Sequence, residues 1–271
     1  MEGERRRIAL LLEYDGTAFS GSQWQTPDRD RGVRTVQEVL EAALLKFTGE
    51  RDRIAFAGRT DSGVHASGQV AALSTRTQHS PATCRDALNH FLPEDVVVRE
   101  AVEVAVTFDP RRDAEARRYR YRIEDGRVRS PLTRRQAWQV EYPLDALAMA
   151  EALALLPRTE RDWAAFGGPV PVGYPTVRRL IDASVERHGP YEVVMEIEAT
   201  GFLPHQVRRT AGALGRVGGG ALSPDEFAAM VDGLPGTAGP TAPPQGLTLV
   251  AVRYPPGTLT WPVSGEWGRE R

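Results

Sequence analysis

The chain has 271 residues, 41% hydrophobic and 26% charged, with a formal net charge of −2, the proportions of an ordinary globular protein large enough for one big domain or two modest ones. No apolar run approaches the roughly 20 residues of a membrane helix, and Met1-Glu2-Gly3-Glu4-Arg5-Arg6-Arg7 lacks the apolar stretch and cleavage site of a signal peptide, so a cytoplasmic protein without a membrane partner is expected. Cys84 is the sole cysteine, and the five histidines show no ligand spacing, which excludes an intrachain disulfide and a cysteine-based zinc site within one chain.

Residues 6–14 read as a buried strand. Thr35, with Glu38 three residues on, is a capping-box start for a helix whose apolar stripe is Val36, Val39, Leu40, Ala43, Leu44 and Phe47. Residues 53–58 and 69–75 are strands on either side of a polar turn, Pro81 opens a helix through Phe91, and 95–105 is another strand. The order β-α-β-β-α-β is the ferredoxin-like unit. In the second half, 117–124 and 136–141 are strand candidates. Residues 145–156 form a helix with Leu144, Leu147, Ala148 and Leu155 as apolar contacts, and 177–188 with 191–200 make a hairpin through His188-Gly189-Pro190. Helices follow over 204–217 and from Ser223-Pro224 to Gly233, then a loop over 234–246 and a strand over 247–253. The expected fold is α+β: two ferredoxin-like halves, 1–108 and 109–254, fused into one mainly antiparallel sheet with helices on one face and a catalytic cleft on the other. Residues 255–271 are a Pro/Gly-rich tail, with Trp261 and Trp267, that packs on the surface or stays loose.

The polar turn is Gly58-Arg59-Thr60-Asp61-Ser62-Gly63-Val64-His65-Ala66. It sets a carboxylate two residues after an arginine, between strands, where it is rigidly flanked yet reachable. Arg59 could hold Asp61 ionised and fix its orientation. By itself, Asp-Ser-Gly is also simply a good turn. It resembles an aspartic-protease triplet, but that chemistry needs two carboxylates sharing a proton, no second such triplet occurs, and the arginine opposes protonation.

Charge is uneven along the chain. All basic residues but Lys46 are arginines, and 111–135 holds ten arginines against four acids, a net of +6, which suggests a surface facing a polyanion. Within it, Arg117-Arg118-Tyr119-Arg120-Tyr121-Arg122-Ile123 alternates, so on a strand Arg118, Arg120 and Arg122 share one face and Tyr119, Tyr121 and Ile123 the other. Tyr121 reads as core packing at least as readily as a site residue. Arg208 and Arg209, one turn into the helix opened by Pro204-His205, read equally as a solvated helix face.

Together these segments resemble one family, the TruA-type tRNA pseudouridine synthases. Tyr14-Asp15-Gly16-Thr17, Val36-Gln37-Glu38, the nine residues from Gly58 to Ala66, Asn89 with Leu92-Pro93, Phe108-Asp109-Pro110, Arg117 to Tyr121, Asp162-Trp163 with Phe166, Gly201-Phe202 with Val207-Arg208, and Gly246-Leu247 with Leu249-Val250-Ala251 fall in family order. The chain departs from the pattern at Phe19-Ser20-Gly21-Ser22-Gln23-Trp24-Gln25, where two residues are inserted before Trp-Gln, and at Pro204 and Arg209. The resemblance implies an isomerase that converts uridine to pseudouridine at positions 38, 39 and 40 of the tRNA anticodon stem-loop, as a homodimer, without cofactor or metal. It implies Asp61 as nucleophile, Tyr119 as stacking residue and general base, Arg208 as the partner of Asp61, and Arg59 as the group that helps the base leave its stack. Arg59, His65, Arg111, Arg112, Arg118, Tyr119, Arg120 and His205 are the expected substrate contacts. Two rival readings remain: a relative acting on another RNA, and a non-catalytic RNA-binding protein of the same fold.

Overall fold

A computed structural model describes residues 4–24 and 33–262; the expectations that touch Gln25 and Trp267 lie outside them. The fold is α+β with mainly antiparallel strand pairing, as expected. The chain forms two compact units, one built from residues up to Glu115 together with those from Leu249 onward, the other from Ala116–Thr248.

In the first unit the chain runs β1 (Arg6–Tyr14), α1 (Val36–Thr48), β2 (Ala55–Phe56), β3 (His65–Thr75), α2 (Pro81–Phe91) and β4 (Val96–Val104). The strands lie in the order β4-β1-β3, with β2 pairing β3. Helix α1 starts where Thr35 Oγ1 accepts the Glu38 N–H at 3.2 Å and stops at Gly49, whose φ of 73° costs a glycine little. Helix α2 starts at Ser80 with Pro81 in its first turn, where the missing N–H is no loss. Asn89, near the end of α2, clamps β4 by bonding both the N–H and the C=O of Val98 at 2.8 Å. Ile8, Leu10 and Leu12 point to one face of β1 and Ala9 to the other. Ala9 joins Ala57, Val70, Ala72 and Phe108 in a cluster covered by Tyr254, Leu259 and Trp261. Residues after the last strand, β10 (Leu247–Arg253), thus pack against the sheet, and Tyr254 donates its hydroxyl to the Pro110 carbonyl at 2.7 Å.

In the second unit the elements are β5 (Ala116–Asp125), β6 (Trp138–Val140), α3 (Ala146–Ala154), β7 (Glu160–Asp162), β8 (Val177–His188), β9 (Glu192–Ala199), α4 (Gln206–Gly218) and α5 (Pro224–Ala229). The strand order is β5-β9-β8-β7, all antiparallel, with β6 parallel to β5. Leaving out the short β6 and β7, β5-α3-β8-β9-α4 repeats the start of the ferredoxin-like order. The β8–β9 hairpin closes through Gly189 at φ 67°, and Ser223 with Glu226 forms a full capping box on α5. One expectation is corrected. The buried face of α3 is Met149, Ala152 and Leu153, while Leu147 and Leu155 are 70% and 51% exposed. Its sequence, Ala146-Leu147-Ala148-Met149-Ala150-Glu151-Ala152-Leu153-Ala154, is apolar around most of its circumference, so periodicity cannot choose the buried arc. Strand β7 is exposed and polar and carries no apolar alternation to reveal it.

An ion pair between a buried carboxylate and an exposed arginine anchors this unit. The Arg187 guanidinium meets Asp125 with two bonds of 3.0 and 2.7 Å, and Asp125 also accepts the Leu144 N–H at 2.7 Å. Burial alone would raise the Asp125 pKa. The Arg187 hydrogen bonds and the Leu144 N–H outweigh it and hold the carboxyl below the usual range.

Candidate active site

The segment 57–64 links β2 to β3 and carries Asp61. It is pinned from two sides. From β3, the fully buried Gln69 accepts the Gly58 N–H at 3.3 Å and donates to the Gly58 carbonyl at 2.8 Å, so a side chain supplies both hydrogen bonds a neighbouring strand would have made. From the 14–22 segment, Tyr14 Oη shares a 2.8 Å hydrogen bond with Thr60 Oγ1. Ser22 accepts the Thr60 N–H at 2.9 Å and donates its own N–H to the Thr60 carbonyl at 3.1 Å. Gln69 also donates to Tyr14 Oη at 3.4 Å, which joins the two supports. Burial pushes the Tyr14 hydroxyl up, well away from ionisation at neutral pH.

The pairing of β1 with β3 explains how Tyr14 reaches this place. Leu12 faces Gln69 but Tyr14 faces Ala66, a register shift of the kind that re-aims side chains beside functional loops. Close approach demands two glycines. A Cβ on Gly16 would stand 2.0 Å from the Val64 carbonyl oxygen, and one on Gly21, at φ 101°, would stand 2.8 Å from that of Thr60. The Tyr14-Asp15-Gly16-Thr17 signature is thus the wall against which the Asp61 loop is built.

Asp61 is half-buried. Its carbonyl accepts the Val64 N–H at 3.1 Å, closing a turn with Gly63 at φ 78° in the third position. Arg59 is exposed and donates to Gln23 Oε1 at 3.2 Å and to the Trp24 carbonyl at 3.5 Å, so its guanidinium lies along the inserted run. His65, at the start of β3, is buried; its Nδ1 accepts the Gly16 N–H at 3.0 Å and stands 3.2 Å from Asp15 Oδ1. In the neutral ring, accepting at Nδ1 leaves the proton on Nε2, and that atom is buried without a hydrogen-bond partner among the described residues.

In the second unit, β5 alternates as expected. Tyr119, Tyr121 and Ile123 are buried, with Arg118, Arg120 and Arg122 on the opposite face. The Tyr119 ring stands edge-on to Phe202, 5.3 Å between centroids at 88°. Tyr121 is core: its hydroxyl donates to the Pro243 carbonyl at 2.7 Å, and burial pushes its ionisation far up. The arginine face is not a bare cationic surface. Strand β9 sets Glu198 and Glu196 opposite Arg118 and Arg120 in register, and the pairs close at 2.7 Å each, with Arg122 on Glu192 at 2.5 Å. Three guanidinium groups are matched by three carboxylates.

Arg208 sits one turn into α4, donates through Nε to the Ala242 carbonyl at 2.8 Å, and has Nη1 3.5 Å from His205 Nδ1. His205 precedes the helix at φ 60°, ψ 0°, and is the one non-glycine residue with positive φ among those described. A Cβ on Gly168 would come within 2.7 Å of its ring. A histidine held in this conformation is strain kept by its surroundings, a pattern that clusters at functional sites. Arg111 and Arg112 are exposed on a turn in which Asp109 accepts both of their backbone N–H groups, at 2.9 and 3.0 Å. Sequence reasoning overlooked Ser22 and Gln69. The one available signal was Gln69 itself, a polar residue opening the apolar run Val70-Ala71-Ala72-Leu73.

Comparison with known proteins places these features. A family model described as tRNA pseudouridine synthase matches residues 11–111 and 160–255, which include the Asp61 loop and α4. The chain is similar to the tRNA pseudouridine synthase A of Chloroflexus aurantiacus, 44% identical over 260 residues covering 94% of this chain and 91% of that protein. It is 47% identical to the enzyme of that name from Roseiflexus castenholzii over 253 residues, 92% of this chain and 91% of that protein, and 41% identical to that from Geotalea uraniireducens over 250 residues, 92% and 100%. A pinned carboxylate loop, a family model matching most of the chain and relatives matched nearly end to end lead to one assignment: the chain belongs to the tRNA pseudouridine synthase family.

Proposed function

We propose that this protein isomerises uridine to pseudouridine at positions 38, 39 and 40 of the tRNA anticodon stem-loop, acting in the cytoplasm as a homodimer. The observation that carries the reading is the Asp61 loop, whose sequence matches the family motif across nine residues and whose backbone is held on both sides by buried side chains. The N1–C1′ bond of the nucleoside breaks and a C5–C1′ bond forms; C5 loses a proton and N1 gains one, so no redox partner is needed. Asp61 acts as the nucleophile that starts this exchange, from its ionised form. Arg208 pairs with Asp61 and orients it toward the base. Tyr119 stacks on the uracil and removes the C5 proton.

The target must first leave its stack, at a cost of about a few kcal/mol. Arg59 takes the place of the base, and Arg111, Arg112 and His205 contact the RNA. For His65, whose Nε2 is buried, the proposal moves from substrate contact to holding Gly16 against the Asp61 loop. For Arg118 and Arg120, pairing with Glu198 and Glu196 moves the proposal from phosphate grip to holding β5, the strand that carries Tyr119. Incubation with unmodified tRNA, followed by carbodiimide treatment and primer extension, tests the reading. Stops at positions 38–40 are expected, and their absence, or stops in another RNA alone, would refute it.

A further inference from the structure

The β5–β6 connection is built unlike the rest of the basic block. Its sequence is Gly126-Arg127-Val128-Arg129-Ser130-Pro131-Leu132-Thr133-Arg134-Arg135-Gln136-Ala137, four arginines and no acid. All four arginines are exposed, and none forms an ion pair among the described residues. The contrast with Arg118, Arg120 and Arg122 is direct, since those are matched one for one by glutamates. The base of the loop is tied: the Gly126 N–H donates to the Val140 carbonyl at 2.9 Å and Gln139 donates to the Gly126 carbonyl at 3.0 Å. Within it, the Gln136 N–H closes a turn on the Thr133 carbonyl at 2.7 Å, and Arg134 donates to the Pro131 carbonyl at 3.1 Å. Val128 and Leu132 stand 88% and 90% exposed between the arginines. The loop also lies in the stretch between 111 and 160 that the family model does not match.

We infer that this loop is a phosphate-gripping arm that supplies much of the salt-dependent affinity for RNA, and that the β5 arginine ladder does not. The inference rests on the tRNA reading and adds to it the element that binds the backbone. The physical argument is charge matching. A guanidinium already paired to a carboxylate gains little by meeting a phosphate, because it must give up one anion for another. An exposed, unpaired guanidinium forms a bidentate phosphate contact at no such cost. Each phosphate neutralised also releases counterions, which makes binding steeply dependent on salt. The tied base lowers the ordering cost of that contact.

The test is a full-chain variant with Arg127→Ala, Arg129→Ala, Arg134→Ala and Arg135→Ala. Its affinity for an unmodified tRNA transcript is measured across a salt series, beside a control with Arg51→Ala and Arg53→Ala, two exposed arginines elsewhere. At about 0.9 in the log–log slope per phosphate contact on duplex, the loop variant should lower the slope by about two to four and weaken binding at least tenfold near physiological salt. Its turnover at saturating RNA should match the parent. An unchanged slope, or an equal change per arginine in the control, would overturn the inference. So would an altered oligomer mass with an unchanged slope, which would make Val128, Leu132 and their neighbours a protein contact. Pseudouridine formation by the unsubstituted protein, measured in the same samples, separates the two claims: activity with an unchanged slope sinks the arm alone, while binding without activity sinks the proposed reaction and leaves the arm standing.

Discussion

Replacing Tyr14 by Phe removes a single oxygen and tests whether the Asp61 loop works because it is held. That oxygen bonds Thr60 Oγ1 at 2.8 Å and receives the Gln69 amide at 3.4 Å, in a buried setting. A neutral hydrogen bond contributes about 0.5–1.5 kcal/mol, and a buried hydroxyl left unsatisfied costs about 1–3 kcal/mol. Because the longer Gln69 contact is the weaker, most of the loss falls on Thr60, for a total of about 1–3 kcal/mol. Urea unfolding should report that difference, and the melting temperature should fall by about 2–4 °C for each kcal/mol in a chain of this size. The rate should fall as well. A misplacement of about 1 Å costs roughly a hundredfold, but Ser22 and Gln69 still grip the loop, so a loss of about tenfold in single-turnover pseudouridine formation is expected. Affinity for tRNA should stay within about twofold, since Tyr14 lies beneath the loop and away from solvent. A variant that loses stability but keeps its single-turnover rate would show that the network holds the fold and not the carboxylate. Unchanged stability would refute the energetic argument itself.

His205→Gly should relieve the left-handed backbone, whose cost for a side chain is about 1–2 kcal/mol, and raise stability by up to about 1 kcal/mol in thermal melts. It should slow turnover by removing the imidazole beside Arg208, while His205→Asn, which tolerates the same backbone and keeps an acceptor, should retain more activity; a glycine variant with full turnover would contradict this. Asp125→Asn should cost about 1.5–3 kcal/mol, the loss of hydrogen bonds between charged groups, because the Arg187 guanidinium still reaches solvent and the Leu144 and Pro190 carbonyls. Because the folded pKa of Asp125 is depressed, its contribution is complete above the ordinary aspartate range and is lost as pH falls through that range toward the depressed value. Acid titration of stability should therefore be flatter in the variant than in the parent, and identical acid limbs would rule the pair out as a contributor.

Most of the fold was legible because its elements are locally consistent. Thr35 and Gly49 bracket α1, Ser80-Pro81 opens α2, and Gly189-Pro190 turns the β8–β9 hairpin, each by residue chemistry that needs no tertiary information. The failures share one cause, an absence of contrast. Helix α3 has apolar residues nearly all round, so its buried arc is chosen by packing, and the exposed β7 has no alternation to read. The site divides the same way. The Asp61 motif and the β5 alternation could be read directly, but the glutamates that neutralise Arg118, Arg120 and Arg122 are contributed by β9, more than sixty residues later, and only strand register reveals them. Gln69 and Ser22 look like ordinary strand and loop polar residues until the loop is folded onto them. The strain at His205 is a backbone property that side-chain identity does not announce.

In the proposed reaction a single carboxylate, Asp61 on its pinned loop, starts the chemistry. The most direct test compares the parent with Asp61→Asn on an unmodified tRNA transcript, measuring pseudouridine at positions 38–40 in single turnover and affinity in the same buffer. The variant should form no detectable pseudouridine while binding tRNA within a fewfold of the parent. Product formed at a rate close to the parent's would contradict that role outright, as would a loss of binding as large as the loss of activity.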